Sequence, residues 1–213
     1  MKTSFLFTTD EAHFHLNGTV NQQNCRYWSD ENPKLMHERQ SHSPKVTVLC
    51  AVSSTVVIGP YFFEDDNGAT VTVTSERYRQ MFNEFFLPEL RRKRIPIRQV
   101  WFQQDRATAH TARNSMETIR AVFRGRIISG FGYIEWPPRS PDLSMCYYFW
   151  DFLKSRVYQH KPRKLQELNE AIRVEVKRID RAMLERVEAN FRERLVKCIA
   201  ENDRHLSNVV FKH

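Results

Sequence analysis

The sequence predicts an α/β domain built on a mixed sheet, and three observations carry that prediction. Strand-like segments fill the first half of the chain, and helical periodicity dominates the second. A further strand-like run, RQVWFQQD (98–105), lies between two helical segments. At 213 residues with 41% hydrophobic content the chain suffices for one core. A single domain over 1–213 is expected, with 1–160 as the core and 161–213 as a C-terminal helical extension.

The segments SFLFTT, KVTVLCAV and STVVIGPYFF are rich in β-branched and aromatic residues, and only a few residues separate the last two, as in a hairpin. From Ser75 to Arg94 the apolar residues Tyr78, Met81, Phe82, Phe85, Phe86 and Leu90 recur at three and four, so a helix is expected there, kinked or ended early by Pro88. RQVWFQQD reads as a short strand and TAHTARNSMETIRAVF (108–123) as one helix. From Leu165 onward the chain reads as helix, interrupted near Ala189–Asn190.

A net charge of +8 and a pI near 9.5 suit a polyanionic partner such as DNA, RNA or an acidic membrane surface, without choosing among them. Cys25, Cys50, Cys146 and Cys198 are widely spaced and form no C-x-x-C pair, so thiols in a reducing compartment are expected. No run approaches the ~20 apolar residues of a membrane span. The opening MKTSFLFTTDEAHF turns acidic too soon for a signal peptide, so the expected setting is intracellular.

Asp10 follows the apolar run SFLFTT, and Asp105 ends VWFQQD. Two carboxylates at the ends of core strands can converge at one sheet edge, where Mg²⁺ or Mn²⁺ would find oxygen ligands. From spacing alone, the capping of a turn after each strand is the favoured reading. His13 and His15 share one side of a strand but lack a third ligand nearby. Asp65 and Asp66, beside Asn67-Gly68, read as a solvated hairpin tip. The run RRKR (91–94) reads as a solvated helix end, and Arg173, Lys177, Arg178 and Arg181 interleave with acids on a mixed face.

TTDEAHFHLNG (8–18), KVTVLCAV (45–52), VIGPYFFED (57–65), WFQQDRATAHTA (101–112) and WPPRSPDLS (136–144), in this order, resemble mariner-type transposases. The resemblance implies an RNase H-like fold with additional C-terminal helices, in which three carboxylates bind two divalent metals, Mg²⁺ or Mn²⁺. These activate water and then a 3′-hydroxyl for attack on DNA phosphodiesters. It assigns the first metal-binding, catalytic carboxylate to Asp10 and the second to Asp105, with His110 and Thr111 positioning the same loop; a helix-start role for Thr108 and Thr111 fits as well. It also implies DNA, as transposon ends and target, as partner, a homodimer, no membrane, and a nuclear location. The family's helix-turn-helix region is expected to be missing ahead of the first strand, leaving charge-driven DNA binding.

The third ligand is where the sequence departs from the family. In SPDLSMCYYFWDF (140–152), Ser140, Pro141 and Asp142 suit a helix entrance, and Tyr147 falls where the resemblance expects the third aspartate. A phenol stays neutral to a pKa of roughly 10 and offers one oxygen beyond a bulky ring. The family's usual proline at Met145, glycine near Asp151 and residue between Phe149 and Trp150 are also missing. Asp151, one turn beyond Tyr147, and Asp142 are the available substitutes, Asp151 about 6 Å too far along the axis. Arg106 stands where a small or amide residue is usual and is expected to pair with Asp105; Leu49 stands where a tryptophan is common. The expectation is a transposase-derived domain with impaired DNA cleavage and strand transfer, the alternative being a non-catalytic DNA-binding or protein-interaction remnant.

Overall fold

A computed structural model of the chain describes residues 5–18, 43–137 and 143–200. Strands β1 (Phe5–His15), β2 (Lys45–Val52) and β3 (Val57–Phe62) open the fold. Helices α1 (Ser75–Met81) and α2 (Leu87–Arg92) follow, joined by a π-helical turn, Phe82–Phe86. Then come β4 (Val100–Gln103), α3 (Thr108–Thr111), α4 (Arg113–Val122), β5 (Ile127–Ser129) and β6 (Ile134–Glu135). Helices α5 (Met145–Val157), α6 (Leu165–Lys177) and α7 (Arg181–Ala200) complete the described fold. The sheet runs β3-β2-β1-β4-β5-β6, antiparallel across its first two pairings and parallel across the rest. This is the mixed, helix-flanked sheet that the sequence predicts.

Strand alternation sends neighbouring residues to two separate cores. Ala12 and Phe14 of β1, with Val46, Val48, Cys50 and Val52 of β2, pack against α5, α6 and α7. Phe7, Leu49 and Ala51 face the other way, onto α1, α2 and α4. That second core is aromatic: Phe102 stacks on Phe123 with centroids 5.2 Å apart, and Phe82 and Phe86 meet both rings. Leu49, where the family commonly has a tryptophan, is fully buried in it.

Several boundaries differ from the expected ones. Strand β1 runs on through Asp10 to His15, because β2 pairs with it residue for residue from Thr8↔Val52 to His15↔Lys45. Asp10 therefore lies within a strand. Pro88 does not end its helix; it sits in the first turn of α2, and the wider π-turn before it relieves the clash of a proline ring with the carbonyl four residues back. The segment 108–123 is two helices, because Ala112 adopts an extended ψ of 142°. The C-terminal interruption falls at 178–180 instead of Ala189–Asn190, where the Asp180 carboxylate accepts the Met183 N–H and opens α7. Helix α5 begins at Met145 with Ser144 as its cap, its Oγ accepting the Cys146 N–H at 3.1 Å. Ser140, Pro141 and Asp142 lie outside the described residues.

The tip at Asp65–Gly68 is exposed, with the Asp65 carboxylate accepting from the N–H groups of Asn67 and Ala69. Cys50, Cys146 and Cys198 are in no disulfide, and Cys25 lies outside the described residues. Among the described residues no helix is long and apolar enough to cross a membrane.

Glu175 of α6 ties the helical layer together. Its side chain is 3% exposed and meets His160 at 2.7 Å, Arg178 at 2.6 Å and Arg156 at 3.6 Å. Burial would raise its pKa, but the hydrogen bonds from His160 and Arg178 and their charge outweigh burial and hold it below 4.5. A carboxylate depressed in the folded state stabilises above its unfolded pKa, and the contribution fades as pH falls through the folded value. Glu175→Gln should therefore lower stability by roughly 1–3 kcal/mol at neutral pH. Melting curves of the two proteins should converge as the pH is lowered through the depressed folded-state value of Glu175.

Candidate active site

Parallel pairing of β1 with β4 sets the site. Thr8 is in register with Gln103, so Asp10 and Asp105, each two residues beyond that pair, emerge on neighbouring chain segments close enough for the Asp105 charge to act on Asp10. Thr9 Oγ1 donates to the Gln103 carbonyl at 3.1 Å and Thr8 Oγ1 to Gln103 Oε1 at 3.3 Å, which fixes that register with buried hydrogen bonds. The structure thus brings the two predicted aspartates to one place, although only Asp105 lies at a strand's end.

Asp10 is partly buried. Desolvation, then the negative charges of Glu11 and Asp105, push its carboxyl up to about 8, against smaller opposing effects of the His110 charge and the Glu11 N–H. Asp105 goes the other way. Burial would raise it, but the hydrogen bond and charge of His110, with the Ala107 N–H at 2.8 Å, lower it. Two adjacent carboxyls with opposed shifts form a strongly polarised pair.

His110 is the centre of this arrangement. Its ring is 1% exposed and reaches Asp105 Oδ1 through Nδ1 at 2.6 Å and Glu11 Oε1 through Nε2 at 2.9 Å. Two carboxylate partners leave both ring nitrogens as donors, so the group is an imidazolium. Burial would lower its pKa, but the Glu11 charge and the bonds to both carboxylates raise it to about 10. Tyr78 lies over the ring at 4.3 Å, and its hydroxyl donates to Gln104 Oε1 at 2.6 Å. Gln104 Nε2 in turn donates to the His110 carbonyl and to Ser129 Oγ, both at 3.1 Å. Glu11 is the member that sequence reasoning misses. Its signal is its place beside Asp10 on a strand, which aims it to the opposite face, toward the α1–α4 layer.

Helix α5 approaches the other side of β1. Cys146 is buried, its Sγ donating to the Thr8 carbonyl at 3.1 Å. Tyr147, next along, is half-buried with its ring edge-on to Tyr148 at 5.2 Å. Asp151, one turn later, is exposed. Partial burial raises its carboxyl while the neighbouring Lys154 charge lowers it. Lys154 is itself buried and feels the charges of Asp151 and Asp10. Arg106 does not pair with Asp105, as the sequence suggests. Its guanidinium instead takes Glu135 and, at 2.8 Å, the Trp136 carbonyl, because its side chain lies across Gly130 toward β6.

His13 meets Thr47 Oγ1 at 3.0 Å and its ring lies 6.5 Å from that of His15, with no third ligand. Among the described residues no group of three or more His, Cys, Asp or Glu side chains is placed to hold a metal. The Asp10–Asp105 pair suits one divalent cation, since Asp10 carries a carboxyl whose ionisation such a charge would favour.

His110→Ala would leave Glu11 and Asp105 facing each other with no cation between them, a cost of roughly 3 kcal/mol measured by chemical denaturation. A histidine raised in the folded state stabilises fully below about 6.5 and loses that contribution as pH passes its folded value. The deficit of the variant should be largest below about pH 6.5 and shrink steadily as the pH rises from there toward about 10. In the unmodified protein, nitrogen chemical shifts should show both His110 ring nitrogens protonated at neutral pH.

Residues 6–169 match the model of the DDE superfamily endonuclease family. Among solved structures, the chain is similar to the Mos1 mariner paired-end complex with Mn, at TM-score 0.73 and 19% identity, and to the Mos1 transposase paired-end complex with left transposon end, at 0.71 and 20%. Each of these alignments covers 95% of this chain and 56% of the other. The catalytic domain of Mos1 mariner transposase aligns at TM-score 0.70 and 18% identity, over 95% of this chain and 84% of that one. No curated protein sequence matches. The chain spans little more than half of the Mos1 chains in the paired-end complexes. With its RNase H-like sheet and with more than three quarters of its length inside the family match, this chain belongs to the DDE superfamily endonucleases.

Proposed function

We propose that the chain is a mariner-type transposase catalytic domain that keeps two of the three metal-binding carboxylates, Asp10 and Asp105, and has lost efficient DNA cleavage and strand transfer. The observation that carries this reading is Tyr147 on α5, at the position where the family motif supplies an aspartate. Helix α5 is anchored through the buried Cys146 against Thr8, so Tyr147 cannot be exchanged for another residue by sliding the helix. Asp151 is exposed and next to Lys154 in charge as well as sequence, which argues against it as a substitute. Site tolerance of about 0.5 Å leaves little room for a displaced ligand. One expected interruption is removed, however, since Arg106 is engaged by Glu135 and leaves Asp105 to a cation.

Asp10 and Asp105 would hold one Mg²⁺ or Mn²⁺, which when bound would polarise a phosphodiester oxygen or an attacking water. The chain's own contribution is to keep the two carboxylates level through the β1–β4 register and to hold Asp105 ionised through His110. The partner we infer is DNA, held through the +8 net charge, and the setting nuclear. The single-domain organisation over 1–213, with 161–213 as an extension, belongs to the same proposal.

Restoration tests the reading. Tyr147→Asp, with a leucine inserted after Phe149, should confer Mn²⁺-dependent nicking of supercoiled DNA that Asp10→Asn abolishes, while the unmodified chain nicks at background. Metal-dependent nicking by the unmodified chain that disappears with Asp10→Asn would show that the two-carboxylate site still works and would overturn the loss of activity.

A further inference from the structure

The β5–β6 connection, GFGYI (130–134), is the most apolar exposed feature near the site. Phe131 is 62% exposed, Tyr133 76% and Ile134 46%. The connection is held rigid from beneath. The Gly132 N–H donates to the Ser129 carbonyl at 3.1 Å and the Trp136 N–H to the same oxygen at 2.9 Å. A Cβ on Gly132 would stand 2.6 Å from the Ile127 carbonyl oxygen and 2.7 Å from the Ser129 nitrogen, so the turn closes only around a glycine. Arg120 of α4 donates to the Phe131 carbonyl at 2.7 Å. The aromatic rings are thus displayed on an ordered backbone, which lowers the entropic cost of using them.

The position matters as much as the exposure. Strand β5 runs parallel to β4 with Gln103 opposite Ile128, so Gly130 emerges at the level of Asp105, and the Arg106 side chain packs directly on it. Phe131 and Tyr133, one and three residues beyond Gly130, are therefore exposed at the same sheet edge as the paired aspartates, with Arg106 packed on Gly130 and paired to Glu135 and Arg120 bonded to the Phe131 carbonyl, on a chain of net charge +8. Aromatic faces beside cationic groups are what stacks unpaired nucleobases while the backbone is held electrostatically.

We infer that Phe131 and Tyr133 form a stacking platform for unpaired bases of a DNA strand whose backbone passes Asp10 and Asp105. This rests on the DNA-binding part of the proposed function and extends it to a specific form of DNA, single-stranded or frayed at the bound position. Stacking is indifferent to sequence, so the platform adds affinity for unpaired bases without base readout.

The test compares the full chain with the double variant Phe131→Ala/Tyr133→Ala on a labelled single strand and on the matching duplex, at low and moderate salt. A strand carrying 2-aminopurine should lose fluorescence on binding the unmodified chain and keep it with the variant. The variant should bind the single strand about tenfold more weakly, leave duplex affinity unchanged, and retain the salt slope, because no phosphate contact is removed. Equal single-strand affinity in the two proteins, with DNA binding intact, would overturn the platform alone. No DNA binding by the unmodified chain at low salt would overturn the DNA reading and the platform with it. A fall in sedimentation coefficient in the variant, with single-strand affinity unchanged, would assign the patch to a second copy of the chain instead.

Discussion

The buried contact of His110 with Glu11 and Asp105 is the constraint around which the site is arranged. It joins β1, the β4 loop and α3 through one ring, and it does so with charge, in a setting where an unpaired carboxylate would be costly. Its influence extends outward through Tyr78 and Gln104 to Ser129 on β5, so the three central strands are tied at the level of the aspartates by side chains as well as by backbone. The break at Ala112 ends the single turn of α3 that carries His110 before α4 begins.

The two aspartates experience this contact differently. Asp105 bonds the imidazolium directly and stays ionised, while Asp10, on the α5-facing side of β1, receives only part of that charge and is dominated by desolvation. The chain therefore compensates the Asp105 carboxylate internally and leaves that of Asp10 largely uncompensated. Lys154, buried on the same side, has its pKa lowered by its own burial and feels the charges of Asp151 and Asp10.

Much of this was legible in the sequence because strand and helix patterns arise from local burial. The β-branched runs, the apolar spacing of 75–94 and the motifs around Asp10 and Asp105 each report a face that packs. What could not be read depends on partners far apart in the chain. Strand β1 continues past Asp10 only because β2 lies beside it, and Arg106 turns from Asp105 only because Glu135 stands across the Gly130 gap. At the entrance to α5 the described cap is Ser144, while Ser140, Pro141 and Asp142 lie outside the described residues. Glu11 escapes notice because its value lies in a histidine 99 positions away.

The division of the sheet into two independent cores has a consequence for what the stability of such a domain reports. The His110 cluster and the aromatic core lie on one face, and α5 with its helical layer on the other, with β1 as their shared wall. Tyr147 is half-buried, with its ring edge-on to Tyr148. The paired aspartates belong to neither apolar core, so a high melting temperature reports on packing and carries no information on whether the site works.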